Sequence, residues 1–75
     1  MRFLVELYLA PADPDPAAAA RAVADDTACI VESIGLPADE TCFLVVEAAT
    51  EANVLILLER AGLRVNRISV ALTDR

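Results

Sequence analysis

Few side chains in this 75-residue chain have the types that chemistry uses, and the two cysteines come first. A pair of thiolates can bind a soft metal ion or cycle between dithiol and disulfide. Cys29 and Cys42 lack the C-x-x-C spacing of copper and zinc sites. They fall in two β-prone runs, Ala28 to Leu36 and Thr41 to Glu47, joined by Pro37, Ala38, Asp39 and Glu40, which read as a hairpin. If that turn sets the register, Leu36 faces Thr41 and Cys42 faces Gly35. Cys29 is then on the order of 20 Å further along its strand, beyond the roughly 7 Å limit for a disulfide. Both cysteines read as small buried hydrophobes that pack the core, and no set of residues reads as a metal site.

Glu6 and Tyr8 alternate on one face of a first strand, and Glu32 and Arg67 also fall on strands. Together these four could line a cavity as acid, base and counter-charge for a small substrate. Their ordinary structural role is a Glu6–Arg67 ion pair at a subunit interface, with Tyr8 supplying packing area. The chain has no histidine, so a Ser-His-Asp arrangement is excluded, and no phosphate loop or nucleophile elbow occurs.

The elements that must position these residues follow from the apolar periodicity. Arg2 to Leu9 alternates with a period of two, which argues a strand with Phe3, Val5, Leu7 and Leu9 on its apolar face. Ala10 to Pro16 holds three prolines and two aspartates and reads as a loop. Asp15 as N-cap and Pro16 at the first helical position then start a helix expected to run to Thr27, with Ala20, Val23 and Thr27 on its inner stripe. After the hairpin, Thr50 caps a second helix. Gly62 closes it, with Leu63 folding back on Leu58. On a helical wheel Val54, Leu55, Leu57, Leu58 and Ala61 fill one broad arc, and Ile56 falls opposite. Val65 to Thr73 alternates again as the last strand. The order is β-α-β-β-α-β, an α+β ferredoxin-like domain spanning residues 1–75, with an antiparallel four-stranded sheet and two helices on one face.

Composition sets the limits on partners. Hydrophobic residues are 57% of the chain and charged ones 24%, which is globular rather than disordered. A domain of this size buries only about 60% of the surface its unfolded chain exposes, so apolar area is expected to be hidden against a second subunit. The net charge of −6 repels nucleic acid phosphates. The apolar runs are far shorter than the roughly 20 residues that span a bilayer, and Glu6 interrupts the N-terminal run too early for a signal peptide. A cytoplasmic address with free thiols is expected, and the alanine- and arginine-rich composition suggests a bacterial source.

At the hairpin the chain takes on a specific likeness. Leu36-Pro37-Ala38-Asp39-Glu40-Thr41-Cys42-Phe43, Glu47-Ala48, Arg60-Ala61-Gly62-Leu63 and Asn66-Arg67-Ile68, with the opening Phe3-Leu4-Val5-Glu6, resemble the blocks of a small bacterial family of ferredoxin-like domains of unknown function, some described as nickel-binding. The likeness covers nearly the whole chain except the first helix. It implies protomers paired through their sheets as a dimeric α/β barrel. It also implies nickel as a possible cofactor, held in part by a second-helix histidine at a position near Leu57 here.

The expected function is a non-catalytic, homo-oligomeric binding domain with an unknown small-molecule ligand. A small cofactor-free enzyme of the monooxygenase or isomerase type, using Glu6, Tyr8 and Arg67, is the alternative. A structural or protein-interaction module is a third reading. For the oligomer, Leu4 is expected on a bare sheet face beside Val31 or Ile30, and Ile56 at a further, weaker contact.

Overall fold

A computed structural model describes residues 1–9 and 15–71, so the expected loop at 10–14 and the end of the last strand at Leu72 and Thr73 lie outside the described residues. The elements run β1 (Arg2–Tyr8), α1 (Pro16–Val23), β2 (Ala28–Leu36), a 3₁₀ turn (Pro37–Asp39), β3 (Thr41–Ala48), α2 (Glu51–Arg60) and β4 (Val65–Ala71). The four strands form one antiparallel sheet in the order β2-β3-β1-β4. This is the ferredoxin-like arrangement that the element order implies.

The core lies between one face of the sheet and the helices. Phe3, Val5 and Leu7 of β1 and Cys42, Leu44, Val46 and Ala48 of β3 are buried against Ala17 and Ala20 of α1 and Val54, Leu57 and Leu58 of α2. Alanine on the inner side of α1 lets it approach the sheet closely. Helix α1 starts as its signals imply, with the Ala17 N–H donating to Asp15 Oδ1 at 3.0 Å. It stops at Val23, one turn short of Thr27. Asp25 Oδ1 accepts from the Thr27 N–H at 2.8 Å and from its hydroxyl at 2.6 Å, and this local turn competes with helix propagation.

Helix α2 follows its caps at both ends. The Asn53 N–H donates to Thr50 Oγ1, and Gly62 sits at φ +73°. There the Leu63 N–H donates to the Leu58 carbonyl at 2.9 Å and the Gly62 N–H to the Glu59 carbonyl at 3.0 Å, the paired bonds of a Schellman ending. Leu55, expected in the inner arc, is instead 45% exposed. Val54, Leu57 and Leu58 already fill the stripe that a helix presents to a sheet, and a residue 100° beyond Val54 rotates toward solvent. Ile56 is exposed as expected, at 53%.

The hairpin keeps its inferred register near the turn, with Leu36 opposite Thr41 and Gly35 opposite Cys42. Glu40 closes the turn at φ +51°. Further along, Ile30 pairs with Val46 but Glu32 pairs with Val45, so Val31 has no partner. That bulge reverses which residues face the core, because a slip of one residue turns each later side chain to the other face.

Candidate functional site

The face of the sheet away from the helices is built in rows across the four strands. Ile34, Phe43, Glu6 and Arg67 form one row, and Glu32, Val45, Leu4 and Ser69 the next. Leu36, Thr41 and Tyr8 lie on one side of these, and Cys29, Glu47, Arg2 and Ala71 on the other. Antiparallel sheets that meet water on one face normally carry polar residues there. Here the two central strands bring Leu4, Phe43 and Val45 together beside Glu6, and Ile34 on the edge strand β2 adjoins Phe43. Leu4 is 37% exposed, Ile34 47% and Tyr8 54%.

A shallow hollow of about 290 Å³ opens on this face between Leu4, Glu6, Phe43, Arg67 and Ser69. Three of the expected site residues, Leu4, Glu6 and Arg67, therefore meet. Glu6 and Arg67 are direct register partners across β1 and β4, yet among the described residues no ion pair joins them within the chain. The hollow has an apolar floor, one cation, one anion and one hydroxyl. It can orient a small polar molecule or receive a complementary surface.

Two expected members do not belong to it. The Tyr8 hydroxyl donates to Glu40 Oε2 at 2.7 Å, and Tyr8 borders a separate hollow of about 300 Å³ with Pro16, Ala19 and Gly62 to Arg64. Glu32 stands on the edge strand, with β3 and β1 between it and β4. Leu4 has Val45 and Ser69 as lateral neighbours rather than Val31 or Ile30, because β3 lies between β1 and β2 and Ile30 faces the core. Phe43 and Ser69 went unrecognised as site residues in the sequence. The parity of β3, counted from the Leu36–Thr41 pair, was the available signal for Phe43.

The cysteines separate by face. Cys42 is buried, and burial, with a smaller contribution from the negative charge of Asp15, pushes its thiol pKa up. Cys29 is exposed on the open face opposite Glu47, which corrects the expectation that both pack the core. The bulge at Val31 is the cause, since without it Cys29 would share the parity of Gly35 and Cys42. Both thiols are free.

Among the described residues no three cysteine, aspartate or glutamate side chains gather as metal ligands. Leu57, near which the resemblance implies a histidine, is 3% exposed and part of the core. These residues do not fit the nickel site that the resemblance implies. None of the described helices is long and apolar enough to cross a membrane. No family model matches the chain, and no curated protein and no solved structure is significantly similar to it.

Proposed function

We propose that this chain is a non-catalytic binding domain that works as a homo-oligomer, paired through the open face of its sheet, with a small-molecule ligand still to be identified. The observation that carries this reading is the apolar cluster on that face, Leu4, Phe43 and Val45 on the two central strands with Ile34 beside them on β2. Covering it against a second copy removes apolar area from water at about 25 cal/mol per Å² and supplements the small core of a 75-residue chain. The likeness to the ferredoxin-like family of nickel-binding type supports the pairing half of this proposal. The donor set argues against the nickel half, and a calorimetric titration with nickel is expected to show no stoichiometric site. Acidic charge argues against nucleic acid as a partner, and the free thiols favour the reducing cytoplasm.

Light scattering coupled to size exclusion at low micromolar concentration is expected to give a mass of at least two chains. A clean monomer overturns the proposal. Native mass spectrometry of the purified protein would show any retained small molecule in the same sample.

The hollow over Phe43 favours a second reading, a cofactor-free enzyme in which Glu6 serves as base and Arg67 as counter-charge. Tyr8, held by Glu40, then takes no part. Conversion of a candidate substrate that Glu6→Gln abolishes would favour this reading over the non-catalytic one.

A further inference from the structure

The open face carries two opposite charges side by side in an apolar surround. Glu6 and Arg67 are register partners on β1 and β4, but no ion pair closes between them among the described residues. Leu4 and Phe43 flank them, and Ile34 continues the row. Covering these charges with a purely apolar partner would strip their water and leave them uncompensated, which is strongly unfavourable. The face therefore suits an occupant that is apolar where it meets Leu4, Phe43 and Ile34 and offers the same two charges in the opposite order.

A second copy of the chain has that pattern. In a twofold interface every contact from residue i to residue j is matched by one from j to i, so an adjacent acid and base that do not pair with each other within one chain become two reciprocal pairs. We propose, building on the homo-oligomer reading above, that two copies dock open face to open face with Glu6 of each meeting Arg67 of the other. Arg67 stands on the edge strand and is the longer side chain, so it is the one that reaches across. These pairs select a second copy over other apolar surfaces and fix how the two sheets are oriented.

The face is small. Four strands about 4.8 Å apart, each with about seven residues rising roughly 3.3 Å, make a patch of roughly 19 by 23 Å in plan, which is smaller than a standard specific interface and in the size range of weak ones. A like-charge contact within it should therefore weigh heavily on association.

Charge reversal in trans tests the pairing. Glu6→Arg and Arg67→Glu, each folded by circular dichroism, should separately raise the dimer dissociation constant at least tenfold in light scattering. Mixed in equal amounts they should recover a two-chain species, because arginine of one then faces glutamate of the other at both contacts. Native mass spectrometry should find one copy of each variant in it. A wild-type dimer whose reversals dimerise as well as it does, or whose mixture is no tighter than either variant alone, overturns the pairing and leaves the homo-oligomer reading standing. A monomeric wild type removes both. If a reversal does not fold, Glu6→Gln, Arg67→Gln and their combination are measured instead. Each single change should weaken the dimer and the combination should weaken it little further, whereas fully additive losses overturn the proposal.

Discussion

Cys29 and Cys42 sit on the two arms of one hairpin and differ in what governs thiol reactivity, which requires both access and thiolate. Cys42 has neither, being 4% exposed with its pKa raised. Iodoacetamide under native conditions is expected to alkylate Cys29 and spare Cys42 until denaturant is added, as read by peptide mass spectrometry. Asp25 is the other residue with a distinct environment. Hydrogen bonds from the Thr27 side chain and backbone, and then Arg60 at 3.2 Å, lower its carboxyl pKa from 3.8 to about 2. A depressed carboxyl contributes stability above its unfolded value and loses it as pH falls toward and through the folded one. Asp25→Asn should therefore lower the thermal midpoint at pH 7, by no more than a few degrees because the ion pair and its hydrogen bonds are at the solvent-exposed surface. The difference from wild type should shrink as pH falls from about 4 toward 2 and vanish below that.

At the scale of elements, the caps and the buried stripe of α2 make separable claims. Leu58 is 1% exposed and Leu55 is 45% exposed, although both are leucines in the same helix. Leu58→Ala leaves a cavity and is expected to cost about 2–5 kcal/mol, a large share of the roughly 4–11 kcal/mol that a domain of this length has in total. Leu55→Ala should stay within about 0.5 kcal/mol of wild type. Urea titrations of the two variants decide it, and equal losses would mean that the helix is rotated from the position described. Gly62 is a case where backbone rather than packing sets the cost. A Cβ there meets no atom within 4 Å, yet at φ +73° the left-handed conformation makes Gly62→Ala unfavourable by about 1–2 kcal/mol.

The whole molecule is a sheet with helices on one side and, on the other, an open face where an apolar cluster adjoins charged residues. Leu4→Glu puts a charge into that cluster and is expected to shift the protein toward a monomer in light scattering. Ile56→Glu lies on the outer side of α2 and should leave the proposed dimer intact. If Ile56→Glu abolished the dimer and Leu4→Glu did not, the interface would lie on the helical layer instead.

Most of the fold was legible because the deciding signals are local. Asp15-Pro16, Thr50 and Gly62 mark helix ends through hydrogen bonds within a few residues of themselves, and the turn at Pro37 to Glu40 pins the hairpin register beside it. Alternation in β1 marked Leu4, Glu6 and Tyr8 as one face. The end of α1 was misplaced because Asp25 and Thr27, compatible in type with a helix, bond to each other instead. Tertiary structure alone decided the rest. The bulge at Val31 moved Cys29 out of the core, a change of parity that composition does not encode. The strand order β2-β3-β1-β4 put β3 beside β1, so that Phe43 and Arg67 flank Glu6 while Glu32 is left two strands away from it. Tyr8 was drawn to Glu40 by the left-handed turn between β2 and β3. These outcomes depend on which strands become neighbours and how they slip past one another, and that is settled only when the sheet assembles against its helices.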